Sequence, residues 1–169
     1  MKTYQGIYKV KNKEKYKGDP DKVVYRSGWE KYCMLYFDKS PEVISWSSEE
    51  IVIPYLYEAD HRHHRYFPDF VVTWNTGKTS LIEVKPDKET KPPAGTRKTK
   101  KLITEALTYV KNRNKWEAAT EYCKDKGWRF EIWTEIELRL MGILPKQPKP
   151  MKKLKPMAPY KKRKAKKSL

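Results

Sequence analysis

Between Ser27 and the Ser40-Pro41 pair, apolar side chains return every three or four positions. Trp29, Cys33 and Tyr36 or Phe37 trace one face and Ser27 is placed to serve as N-cap, so the spacing predicts a helix. The period then changes to two. Val43 to Trp46 and Glu50 to Tyr57 read as strands, with Ile51, Ile53 and Tyr55 alternating and Pro54 confining the second strand to an edge or a bulge. His61 to Arg65 reads as a polar connection. Tyr66 to Trp74 and Thr79 to Lys85 are the stretches richest in β-branched and aromatic residues, and Asn75-Thr76-Gly77-Lys78 between them predicts a hairpin.

Pro86 to Thr99 mixes Pro92, Pro93 and Gly95 with charges, which predicts a mobile loop of a length commonly tied to function. Leu102, Ala106, Tyr109 and Val110 restart a helical stripe that Trp116, Ala119, Tyr122 and Cys123 continue, until Gly127 supplies a stop. Trp128 to Trp133 reads as a last strand, and Thr134 as the cap of a short helix ending near Gly142. Residues 1–24 are rich in Lys and Tyr, with Gly18, Asp19 and Pro20 as turn formers, and read as an extended arm laid on the domain. After Ile143 no periodic apolar face survives. The expected organisation is an N-terminal arm over 1–24, one folded domain over 25–144 and a disordered basic tail over 145–169.

Composition sharpens this outline. A chain of 169 residues can bury one modest core. Lys and Arg number 38 against 21 Asp and Glu, giving a net charge of +17, an imbalance that folding does not require and that points to a polyanionic partner. The tail alone holds ten Lys, Arg163 and no acid. No apolar run reaches the length needed to span a bilayer and the N-terminus lacks the apolar core of a secretion signal, so a soluble, intracellular protein without membrane contact is expected. Cys33 and Cys123 lack zinc or disulfide spacing and read as free core thiols.

The hairpin permits a geometric argument. If Asn75-Thr76-Gly77 forms a three-residue loop with Gly77 left-handed, Trp74 pairs with Lys78, and each successive pair keeps the same sum of residue numbers. Asp69 then faces Glu83. Directly opposed side chains have Cβ atoms about 4.5–5.5 Å apart, so two carboxylates there repel unless a cation or a proton lies between them. Lys85 points the same way as Glu83, and Val71, Thr73 and Leu81 share the face. Two carboxylates and an ammonium at a strand end suit a hard divalent cation such as Mg²⁺ and phosphodiester hydrolysis. The plainer alternative is that Lys85 merely neutralises Glu83.

Pro68-Asp69 followed by Glu83-Val84-Lys85, with an acid on an upstream helix, resembles the PD-(D/E)xK nuclease superfamily. Tyr25 to Glu30 (YRSGWE), Ser40 to Tyr55, Arg65 to Phe70 (RYFPDF) and Leu81 to Pro86 (LIEVKP) are similar to the TnsA-like endonucleases of bacterial transposition. The preceding NKEKYKGDP resembles the head-completion nucleases of T-even-type tailed phages within that group. The resemblance implies an α/β restriction-endonuclease-like core, a mixed β-sheet flanked by helices. It implies Asp69 as central metal ligand, Glu83 as second carboxylate, the Val84 carbonyl as a further ligand, Lys85 as catalytic lysine and Glu30 as completing the metal site. For Glu30 a capping box with Ser27 is the alternative. Lys115, sharing a helix face with Asn112, is a candidate accessory residue or a solvated charge.

Arg62, His63, His64 and Arg65, with His61, fit a DNA-backbone contact loop, a solvated loop or a zinc site. In the tail, Lys161, Lys162, Arg163 and Lys164 supply sequence-independent attraction to phosphate. The implied activity is a Mg²⁺-dependent DNA endonuclease, with Mn²⁺ substituting, acting in phage head completion on packaged DNA ends. Its implied partners are DNA and portal or head–neck proteins, in the host cytoplasm or associated with the virion. Alternatives are a partner-guided transposition or repair endonuclease and a non-catalytic DNA-binding capsid connector.

Overall fold

The computed structural model describes residues 4–95, 97 and 99–145, so nearly all of the basic tail lies outside the described residues. In chain order the elements are β1 (Gly6–Ile7), a 3₁₀ turn (Lys13–Lys15), β2 (Val24–Tyr25), α1 (Gly28–Lys39), β3 (Val43–Ser48), β4 (Ile53–Tyr57) and β5 (Arg62–Tyr66). There follow β6 (Phe70–Trp74), β7 (Thr79–Val84), a 3₁₀ turn (Asp87–Glu89), α2 (Lys100–Lys126), β8 (Arg129–Trp133) and α3 (Glu135–Leu140). The central sheet runs β3-β6-β7-β8. It is mixed: β7 and β8 are parallel, joined through α2, and the other neighbours are antiparallel. This is the mixed α/β architecture expected of the resemblance. Among the described residues no helix is long and apolar enough to cross a membrane.

The β6–β7 hairpin has the expected register. Gly77 sits at φ 77°, its N–H donates to the Trp74 carbonyl, and Trp74 N–H donates to Lys78, as a three-residue loop requires. Phe70 therefore pairs with Ile82, Val71 with Leu81 and Val72 with Ser80. Alternation sends Phe70, Val72, Ile82 and Val84 to one face, where they meet Cys33, Met34 and Phe37 of α1 together with Trp46 and Trp133. Leu81, with half-buried Val71, belongs to a second core with Ile53, Tyr55, Tyr57 and Tyr66 and with Ala119 and Cys123 of α2. The sheet is thus the partition between two cores. Cys33 and Cys123 are free and buried, as their spacing implied.

α1 starts after Ser27 and ends before Ser40, and α2 runs unbroken to Gly127, which adopts the left-handed conformation at φ 68°. Three strand expectations need correction. β4 begins at Ile53, later than Glu50. His61 to Arg65 is largely a strand: β5 pairs with β4 in a separate two-stranded ribbon, with Tyr55 opposite His64 and Tyr57 opposite Arg62. Its charged side chains conceal it from a hydrophobic-period reading, because backbone pairing holds it and charges are what an exposed edge tolerates. Tyr66 to Trp74 is two strands. Phe67-Pro68-Asp69 interrupts them where the chain leaves the ribbon for the central sheet, and Pro68 has no N–H to give a ladder.

The N-terminal segment packs into the first core through Tyr8, Val10, Tyr16 and Val23. Its anchor is Asp38 near the end of α1. This fully buried carboxylate accepts from Tyr8 Oη at 2.9 Å, Lys11 N–H at 2.8 Å and Asn12 N–H at 2.9 Å. Asp38→Ala strands three donors and should destabilise the fold by roughly 3 kcal/mol. Urea unfolding at neutral pH measures it, and Asp38→Asn, which restores one acceptor oxygen, should recover only part of the loss.

Candidate active site

Asp69 stands one residue before β6, and its side chain extends the hairpin ladder. Val84 N–H donates to Asp69 Oδ2 at 2.7 Å. On the same face Glu83 is only 2 % exposed. Both its oxygens are engaged: Lys85 Nζ lies 3.1 Å from Oε1, and the Tyr66 hydroxyl donates to Oε2 at 2.7 Å. A buried carboxylate needs such partners, since an unpaired buried charge is costly. The hairpin thus brings Asp69, Glu83 and Lys85 to one point, as the register argument expected.

The electrostatics are those of crowded anions. Burial, then the charges of Glu83 and Glu30, push the Asp69 carboxyl well above the usual carboxylate range, against the opposing pull of Lys85 and the Val84 N–H. Burial disfavours the Lys85 ammonium, but Glu83 and Asp69 outweigh it and hold Lys85 above the ordinary lysine value. Lys115 is pulled the other way, chiefly by burial, with Lys85 and Lys111 adding repulsion. Its ammonium lies 5.3 Å from the centre of the Tyr66 ring. Lys115 therefore lies within the field of the carboxylate cluster, over the ring of the tyrosine that binds Glu83, and forms no ion pair with Asp69 or Glu83. Asn112 is buried on the same helix, and its side-chain nitrogen has no hydrogen-bond partner among the described residues.

Glu30 is close but turned aside. Ser27 Oγ caps α1 by accepting from Glu30 N–H at 3.2 Å, yet Glu30 Oε2 accepts from Arg26 N–H at 2.6 Å rather than from its own N-cap. The capping box is therefore displaced by one residue. Glu30, Val84 and Lys85 line a cleft of about 370 Å³ shared with Tyr4, Arg26, Trp29 and Pro86. Among the described residues, no group of three His, Cys, Asp or Glu side chains is placed to hold a metal ion. The donor set is nevertheless of the right kind, since Asp69 and Glu83 offer hard oxygen ligands and their mutual repulsion is what a divalent cation relieves.

The β5 cluster lies on the separate ribbon. His64 Nε2 pairs with Asp60 Oδ2 at 2.8 Å, Arg65 stands over Phe67, and Arg62 and His63 are exposed. Nothing there gathers a zinc ligand set among the described residues. Lys161, Lys162, Arg163 and Lys164 fall outside the described residues.

Tyr66 was absent from the expected site for a physical reason. Read as part of one strand to Trp74, it shares a face with Phe70, away from Asp69. The break at Phe67-Pro68-Asp69 turns it onto Glu83. Arg26 is a second addition: it forms a two-pronged pair with Glu49 at 2.8 and 2.9 Å, while Glu49, at φ 54°, donates its N–H to the Asp69 carbonyl. Only the contact between distant segments shows this.

Residues 40–135 match the family described as TnsA-like endonuclease N terminal. The chain is 42 % identical over 146 residues to the head completion nuclease of Enterobacteria phage T4, covering 83 % of this chain and 97 % of that protein. No solved structure matches.

The raised Asp69 value has a thermodynamic consequence. The folded chain holds this proton more tightly than the unfolded chain, so the associated stability is present below the ordinary carboxylate value and is lost as pH rises through the folded value. Asp69→Asn keeps an acceptor for Val84 N–H and removes the charge. In chelator-containing buffer the variant should melt higher than the parent at pH 8, by about 2–4 °C for each kcal/mol of repulsion relieved. Thermal melts across pH 4–9 should show that advantage shrinking toward the acid end.

Proposed function

The chain belongs to the TnsA-like endonuclease family, and from that premise we propose that it hydrolyses DNA phosphodiester bonds with a divalent metal, Mg²⁺ in the cell and Mn²⁺ as a substitute. The observation carrying this reading is the cluster at the end of β7. Asp69 and Glu83 crowd each other into mutual repulsion beside Lys85, which with Val84 and Glu30 lines the adjoining cleft. A structural hairpin has no need of such a cluster.

Asp69, Glu83 and the Val84 carbonyl would hold the ion, and Glu30 would join them by giving up its bond to Arg26 N–H. A bound ion supplies Lewis acidity at the phosphoryl group. Lys85, paired with Glu83, would supply positive charge to the phosphoryl oxygens as negative charge develops on them. Lys115 adds cationic field from α2. Tyr66 keeps Glu83 oriented by fixing one of its oxygens. Together these intact groups weigh against a non-catalytic connector.

The T4 relative is named for head completion, and the shared length supports the same task here over transposition or repair: processing of packaged DNA ends in the host cytoplasm, beside portal or head–neck proteins. Arg62, His63, His64 and Arg65 on the exposed ribbon and Lys161, Lys162, Arg163 and Lys164 in the tail would supply phosphate contacts.

Asp69→Ala should reduce Mg²⁺-dependent nicking of plasmid DNA by roughly 10²-fold or more, with DNA affinity at moderate salt nearly unchanged; nicking at the parent rate would remove Asp69 from the site. For Glu30, Gln can still accept from Arg26 N–H, so a metal role predicts lost nicking at an unchanged melting temperature. Retained nicking would make Glu30 structural. Deleting residues 145–169 should flatten the dependence of log affinity on log salt by several units, because each phosphate-neutralising cation contributes about 0.9 to the slope. An unchanged slope would assign the tail to an acidic protein surface.

A further inference from the structure

The cleft beside the carboxylates has a wall that phosphate chemistry does not explain. Tyr4, Trp29 and Pro86 line it together with Glu30 and Lys85 and add apolar surface. Trp29 is packed by part of its surface against the first core and presents the remainder to the cleft. Tyr4 is 60 % exposed although it stands beside a core rich in aromatic residues that could have covered it. A backbone-binding cleft calls for cations and N–H donors. Here aromatic side chains adjoin the reacting groups.

Tyr4 is also held in place. Its ring stacks on Tyr25 with centroids 5.7 Å apart and planes 25° apart, and the Lys31 ammonium lies 5.4 and 5.3 Å from the two ring centres. Tyr25 in turn lies against Gly6, its pairing partner in the β1–β2 ladder. A Cβ at residue 6 would come within 2.5 Å of the Tyr25 hydroxyl oxygen and 2.9 Å of Cζ, so only glycine lets the ring take this position. Glycine, cation and paired ring together set one exposed aromatic surface at the mouth of the cleft.

We propose that Tyr4 and Trp29 form a stacking subsite for an unpaired nucleobase of the DNA, placed so that the adjoining phosphate meets Asp69, Glu83 and Lys85. The proposal rests on the endonuclease reading and names its substrate class: DNA with an unpaired nucleotide at the cleavage position, as in a single strand or an overhanging end. Paired bases inside a duplex have their faces covered by their neighbours, whereas an unpaired base offers a face to an aromatic ring. Lys31 and Lys85 flank the subsite with positive charge for the phosphates on either side.

Binding separates this proposal from its premise. Full-length Asp69→Asn protein in chelator is titrated with a labelled short single strand, a blunt duplex and a duplex carrying an overhang, and anisotropy is read. Tyr4→Ala should weaken the strand and the overhang by about 5- to 150-fold, the range for losing one base–aromatic stack, and the blunt duplex by less than about two-fold. Tyr4→Phe should retain the affinity. An abasic nucleotide at one position of the strand should cost as much as Tyr4→Ala, and the two changes together should cost no more than either alone. Equal weakening of strand and duplex, or additive losses, would overturn the subsite while leaving the endonuclease reading intact. No binding of any DNA, with no Mg²⁺-dependent nicking by the parent protein, would overturn both.

Discussion

The pairing of β6 with β7 in a single register governs the molecule. One loop of three residues, closed by Gly77 in the left-handed conformation, decides which side chains face α1 and which face α2. A slip of one residue would exchange the faces, sending Phe70 and Val72 toward the second core and carrying Asp69 away from Glu83. The two cores and the acidic cluster are therefore consequences of the same turn.

That coupling explains where the charge cost is met. Glu83 is buried, and it persists because Lys85 and Tyr66 satisfy its two oxygens. Asp69 is less well compensated, with one backbone N–H and the field of Lys85 opposing two acidic neighbours. Strain of this kind is borne by the well-packed sheet on either side. Both Leu81 and Ile82, adjacent to the cluster along β7, are fully buried, so the strand cannot shift to let the carboxylates separate.

Much of this was legible from residue patterns, and the failures share a cause. α1, α2 and β8 were readable because caps and apolar periods agree along one segment. The opposition of Asp69 and Glu83 was readable because a hairpin loop counts residues. β5 was not, since Arg62 to Arg65 carry no apolar period and the strand exists only through its partner. The same oversight hid Tyr66, whose direction is decided by the interruption at Phe67-Pro68-Asp69 and not by alternation. Glu30 shows a subtler limit: Ser27 and Glu30 have capping-box spacing, but which backbone N–H the carboxylate reaches depends on how the chain enters the helix, and that entry is held by the Arg26 pair with Glu49. Sequence periods report local agreement; contacts between distant segments are outside their reach.

The parallel pairing of β7 with β8 sets a schedule for synthesis. β8 can reach its place only after the 27 residues of α2 have been made, because α2 is the crossover that two parallel neighbours require. On the ribosome the strand that bears Glu83 is consequently an unprotected edge for the time needed to translate the helix and beyond. During that interval its N–H and C=O groups are open to any other extended chain. β8 closes that side of β7 and becomes the border of the sheet itself, so the open edge passes from the strand that bears Glu83 to one that bears Arg129 and Glu131.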